Sequence, residues 1–235
     1  MPSSTREFAD RSLDPNVVGF LHTPETPNGD GLVLTHGAGG NAQAPLLRAL
    51  ADAFAEAGYT VLRCNLPFRQ VRSFGPPGPA DGARDRAGLK NAIAALQEVL
   101  SENEVEGLRG QSAAKCYLGG HSYGGRQASM LSAEQPGLVP ALLLLSYPLH
   151  PPRRPEQQRT QHLPDLRTPT LFVSGTRDPF GSIEELQKAL KMIPAKTRLL
   201  PMEGAGHDLG FKGKGRKEDL PKMILEEFTN FIVEM

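Results

Sequence analysis

The chain has 235 residues, 39% of them hydrophobic, with 26 basic and 26 acidic residues and a formal net charge of zero. That apolar content suffices for a buried sheet, the length suits one α/β domain over residues 1–235, and the absence of a net field argues against a nucleic-acid or anionic-membrane partner. No run approaches the roughly 18 apolar residues of a membrane span, and Met1 to Glu7 carries no apolar segment behind its charge, so neither a transmembrane helix nor a secretory signal is expected.

In chain order, short apolar runs alternate with helical patterns. Gly31 to His36 reads as a strand ending in the loop Gly37-Ala38-Gly39-Gly40. Leu46, Leu47, Leu50, Ala53, Phe54 and Ala57 recur at helical spacing, and Gly58 stops that helix. Tyr59 to Asn65 is a second strand. Residues 66–84, rich in Gly, Pro and Arg, read as a long loop before an amphipathic helix from Leu89 to Leu100. Lys115 to Gly120 is a third strand, followed by a helix from Gly124 to Glu134 that Pro136-Gly137 ends. Val139 to Tyr147 and Thr170 to Gly175 are buried strands. Ser182, with Glu185 three residues on, predicts a capping box for a helix reaching Leu190. Thr197 to Met202 is the last strand, and Lys217 to Val233 closes the chain as a helix with Leu220, Ile224, Phe228 and Phe231 on one stripe. Cys64 and Cys116 sit in apolar runs and read as buried free thiols, which with the missing signal favours the cytoplasm. The basic cluster from Lys212 to Lys217 is glycine-spaced and reads as a solvated loop.

Strand–helix alternation with apolar, non-alternating strands predicts a mostly parallel central sheet with helices on both faces. Ligands of such sheets bind at the carboxyl ends of the strands. The His36 loop, Asn65 to Arg69, Ser122, Tyr147, Asp178 and His207 all lie at or just after a strand end.

Gly120-His121-Ser122-Tyr123-Gly124 matches G-x-S-x-G between a strand and a helix. That context holds a serine hydroxyl on a strained turn, with small flanking residues that let strand and helix pack closely. A serine needs a general base at neutral pH. His207, in Gly204-Ala205-Gly206-His207-Asp208 after the last strand, satisfies the chain order Ser, acid, His. His121 is expected to point away from its neighbour Ser122, His22 precedes the core strands, and His150 and His162 lie in a connecting loop. Asp178, just after a strand, is the carboxylate expected to fix the histidine tautomer; Asp208 is badly placed to do so. The oxyanion donors expected are the N–H groups of Tyr123 and Ala38, with glycines letting the backbone approach a carbonyl. The loop lacks the Gly-Lys-Ser/Thr ending of a nucleotide-binding loop.

Thr35 to Gly40, Gly119 to Arg126, Ser146 to Pro152 and Gly175 to Phe180 together resemble the α/β-hydrolase superfamily. More narrowly, they are similar to a lidless, dienelactone-hydrolase-like group related to testis-expressed and histone-acetyltransferase-complex subunits. The resemblance implies the α/β-hydrolase fold and a Ser122–His207–Asp178 triad. Dienelactone hydrolases carry cysteine at the nucleophile position, where this chain has serine.

His150 to Thr168 is too short for a full cap domain, so an open, shallow site is expected. Its expected lining is Gly37, Gly39, Phe68, Arg69, Tyr147 and Phe180, with Arg69, Arg72 and Arg126 as candidates for holding an acidic substrate. The expected activity is hydrolysis of a small ester or thioester through an acyl-enzyme, with no metal or cofactor. A non-catalytic scaffold on the same fold is the alternative outside enzymes; a peptidase or C–C bond hydrolase is the alternative within them.

Overall fold

The structure is a computed structural model and describes residues 3–102, 114–210 and 219–235. The basic cluster at 212–217, and with it the expected start of the last helix, lies outside the described residues. Among the described residues, eight strands are hydrogen-bonded in the order β1-β2-β4-β3-β5-β6-β7-β8, a mostly parallel arrangement. The Cα positions form two compact units, Met1–Leu118 and Gly119–Met235, and the division falls within β5 (Cys116–His121).

The first unit opens with two strands not expected from the sequence, β1 (Ser4–Asp10) and β2 (Val17–Thr23), although β2 carries the apolar Val17, Val18, Phe20 and Leu21. They pair antiparallel from Ser4↔Thr23 to Asp10↔Val17. β1 is largely exposed, so its stability comes from ladder hydrogen bonds, which leave no apolar signature in sequence. β3 (Gly31–Thr35) and β4 (Thr60–Cys64) pair in parallel and are buried throughout. Helix α1 (Pro45–Glu56) starts on a proline, which is compatible with a first helical position, and buries Leu46, Leu47, Leu50 and Phe54. Fully burying a side chain of this kind contributes about 1.5–3 kcal/mol.

The segment expected to be a long loop contains α2 (Pro67–Val71), and α3 (Asp81–Glu102) begins eight residues before Leu89. The first turns of α3 carry Gly and charge instead of an apolar stripe. They are held by polar contacts instead: Gly78 N–H donates to the Asp81 carboxylate at 2.6 Å, and Phe68 N–H donates to buried Asp85 at 3.0 Å. Buried Arg63 on β4 donates from Nε to His22 Nε2 at 2.7 Å and from a second N–H to the Ala42 carbonyl. His22 Nδ1 lies 3.2 Å from Asp52. Burial, then the Arg63 charge, pushes the His22 imidazolium well below the ordinary range.

The second unit contains α4 (Tyr123–Glu134), β6 (Leu142–Leu145), β7 (Thr170–Gly175), α5 (Ile183–Leu190), β8 (Thr197–Met202) and α6 (Leu220–Val233). β6, β7 and β8 pair in parallel register. The four leucines of β6 have no exposed surface. α4 packs on β6 and α6 on β7, and the stripe Leu220, Ile224, Phe228, Phe231 is wholly buried. The capping box forms: Ser182 Oγ accepts from Glu185 N–H, and the Glu185 carboxylate accepts from Ser182 N–H. Between β6 and β7 the only regular element is a 3-10 turn at Leu163–Asp165, so no helical cap is inserted there. Both cysteines are buried free thiols.

Candidate active site

Ser122, Asp178 and His207 all belong to the second unit. The turn from β5 into α4 places Ser122 at φ 52°, ψ −118°, a left-handed conformation costly for a residue with a side chain. Two backbone bonds hold it there: Ser122 N–H donates to the Leu145 carbonyl at 2.8 Å, and Arg126 N–H donates to the Ser122 carbonyl at 2.9 Å. The strand and helix on either side nearly touch. A Cβ on Gly120 would lie 2.6 Å from Gly125 N, and one on Gly125 would lie 2.6 Å from the Gly120 carbonyl oxygen. The close crossing therefore uses Gly120 and Gly125, one residue beyond the five-residue motif.

Asp178 follows the end of β7, and His207 lies in the loop after β8. These two segments are stitched together. Thr176 N–H donates to Met202 O at 3.1 Å, Arg177 N–H to Ala205 O at 2.9 Å, and Gly204 N–H to Thr176 Oγ1 at 2.9 Å. A Cβ on Gly175 would strike the Ala205 carbonyl, so the approach requires glycine.

The side chains meet within hydrogen-bond range. His207 Nδ1 lies 2.8 and 3.0 Å from the two Asp178 oxygens, and His207 Nε2 lies 2.7 Å from Ser122 Oγ. A carboxylate only accepts, so Nδ1 carries the proton and Nε2 presents its lone pair to the serine hydroxyl. The Asp178 side chain is 1% exposed and that of His207 23%, so the carboxylate is shielded while the imidazole reaches solvent. Asp178 also accepts from Phe180 N–H at 2.9 Å. Asp208 accepts from Gly210 N–H within its own turn and takes no part. Tyr123 opens α4, which puts its N–H in the turn directly after Ser122.

Phe180 is half-buried. Its ring stacks on the His207 imidazole, with centroids 4.1 Å apart and planes 30° apart. Tyr147 is 2% exposed, and its hydroxyl donates to the Arg159 carbonyl at 2.6 Å, tying down the loop between β6 and β7. Arg126, one turn past Ser122, interacts with the Tyr147 hydroxyl, and its buried Nε has no hydrogen-bond partner among the described residues. His121 has a contact that the sequence did not indicate. Its ring turns toward His207, with Nε2 2.8 Å from the His207 carbonyl oxygen.

In the first unit, His36 is buried; its Nδ1–H donates to Gly37 O at 2.8 Å and its Nε2 accepts from Leu66 N–H at 3.1 Å. Gly37 is buried, Ala38 half-buried and Gly39 exposed. Phe68 is 3% exposed, so it packs inside rather than lining an open surface. Arg69 is 8% exposed, and its guanidinium donates to four carbonyls, those of Ala38, Gly40, Arg72 and Gly75. The bonds to Ala38 and Gly40 hold the glycine loop, and with those to Arg72 and Gly75 they engage the guanidinium expected to hold an acidic substrate. Arg72 pairs with Asp81. Arg69 could be recognised only as a basic residue after a strand; that its partners are main-chain carbonyls is invisible in sequence.

Among the described residues, no group of three or more His, Cys, Asp or Glu side chains could hold a metal ion, and no helix is long and apolar enough to cross a membrane.

A family model described as an alpha/beta hydrolase domain matches residues 29–234. The structure is similar to a dienelactone hydrolase from Anabaena variabilis, with a TM-score of 0.72 and 22% identity over 98% of this chain and 99% of that one. It is similar to an alpha-beta serine hydrolase homologue from Coxiella burnetii, with a TM-score of 0.68 and 19% identity over 97% and 98% of the two chains. It is also similar to Est1E from Butyrivibrio proteoclasticus, with a TM-score of 0.65 and 15% identity over 98% and 100%. At these identities the likeness concerns the fold.

Proposed function

The chain belongs to the alpha/beta hydrolase domain family and has its fold, and from that premise we propose that it is a serine hydrolase cleaving a carboxylic ester or thioester bond of a small acyl substrate. The observation that carries this is the continuous chain Asp178···His207···Ser122, with its last contact at 2.7 Å. The dienelactone hydrolase neighbour is in keeping with ester chemistry.

Ser122 Oγ attacks the carbonyl carbon while its proton passes to His207 Nε2. Asp178 faces Nδ1–H, holding the tautomer and stabilising the imidazolium that forms. The Tyr123 N–H is the oxyanion donor of this unit. His207 then protonates the departing alcohol or thiol, leaving Ser122 acylated. In the second half, His207 takes a proton from water as the water oxygen attacks the acyl carbon; the bond from that carbon to Oγ then breaks, the acid leaves, and His207 returns the proton to Ser122 Oγ.

The test is hydrolysis of short-chain p-nitrophenyl esters by the wild type and Ser122→Ala, with fluorophosphonate labelling in parallel. Wild-type turnover and labelling that both vanish in the variant are expected. A folded wild type with neither property would instead favour a non-catalytic scaffold.

A further inference from the structure

We propose, on the serine-hydrolase reading, that His121 is a positioning residue whose ring Nε2–H holds the main chain of His207 so that the imidazole of His207 meets Ser122. His121 Nε2 lies 2.8 Å from the His207 carbonyl oxygen. A carbonyl only accepts, so Nε2 of His121 is the protonated nitrogen. The next residue, Ser122, bonds the ring of the same histidine at 2.7 Å. Two consecutive residues at the end of β5 therefore grip His207 at both of its ends, one by the main chain and one by the imidazole.

The loop that carries His207 needs such an anchor. Gly204 and Gly210 have φ of 73° and 80°, and Leu209 has φ of 55°. A Cβ on Gly204, Gly206 or Gly210 would meet nothing within 4 Å, so open space adjoins the loop at these three positions. Glycines confer backbone freedom, and freedom beside a general base misplaces it. Main-chain bonds from the end of β7 reach Ala205, two residues short of the histidine. Asp178 and the Phe180 ring act on the imidazole; on the backbone, Leu209 N–H donates to Gly206 O at 3.0 Å across the turn, and His121 is the side chain that bonds the His207 carbonyl itself. His121 suits the task because burial pushes its imidazolium form down to about 4. It stays a neutral donor when His207 takes up the serine proton, and adds no second positive charge beside it.

The experiment compares wild type, His121→Leu, which removes the donor and keeps apolar bulk, and His121→Gln, whose amide N–H restores it. Three quantities are read: kcat and KM on p-nitrophenyl acetate, the melting temperature, and amide hydrogen exchange of residues 203–210. His121→Leu is expected to melt cooperatively, to lose about tenfold or more in kcat with KM held within about twofold, and to exchange faster over 203–210. His121→Gln is expected to recover most of both losses. Wild-type kcat and exchange in His121→Leu would overturn the proposal. So would His121→Gln as impaired as His121→Leu, since that would make the ring's packing the cause. Ser122→Ala run alongside keeps the two ideas apart: a wild type no faster than Ser122→Ala defeats the nucleophile assignment, while the exchange comparison still decides the anchor.

Discussion

At the scale of single residues, the candidate site rests on proton positions that hydrogen-bond partners dictate. Asp178 presents acceptors to His207 Nδ1 at 2.8 and 3.0 Å. Asparagine would put an N–H there and favour the tautomer with its proton on Nε2, unable to accept from Ser122. Asp178→Asn is therefore expected to lower kcat by roughly four orders of magnitude with little change in KM, as steady-state kinetics on a p-nitrophenyl ester would show. Arg69 gives the opposite kind of expectation. Its donors are engaged by main-chain carbonyls, so Arg69→Ala should not discriminate acidic from neutral esters. A selective rise in KM for acidic esters would restore a substrate role.

At the scale of elements, the crossing of β5 and α4 sets the position of Ser122. Because a Cβ on Gly125 would lie 2.6 Å from the Gly120 carbonyl, Gly125→Ala must push strand and helix apart. The expected cost is about 1–3 kcal/mol, read from chemical denaturation, together with a loss of turnover that exceeds the loss of folded protein. The cap of α5 offers a milder perturbation away from the site. Ser182→Ala removes the acceptor for Glu185 N–H and should cost about 1 kcal/mol while leaving kcat unchanged. The elements legible in the sequence were those with apolar periodicity: β3 to β8, α1, and α4 to α6. β1, α2 and the first turns of α3 were not, because ladder pairing, a proline start and buried Asp85 hold them rather than an apolar stripe.

At the scale of the whole chain, acid stability follows from two histidines kept neutral in the native state, His22 below the ordinary range and His121 at about 4. Unfolding returns each to an ordinary value near 6.5. Below that value the unfolded chain binds protons that the native chain does not, so stability falls as pH drops from about 6.5 toward 4. The denaturation midpoint should decline across that window, and His121→Gln should flatten the decline. A midpoint flat from pH 7 to 4.5 would count against buried neutral histidines.

The sequence by itself determined the strand–helix alternation, the serine on a turn between strand and helix, and the chain order Ser122, Asp178, His207. Each of these is written in local spacing: apolar period, turn residues and motif context. Only the tertiary structure decided that His121 faces His207, that Phe180 covers its ring, and that Arg69 holds the glycine loop. These depend on which way a side chain turns at the end of a strand and on which carbonyl lies within about 3 Å of it, and both are set by residues distant in the chain.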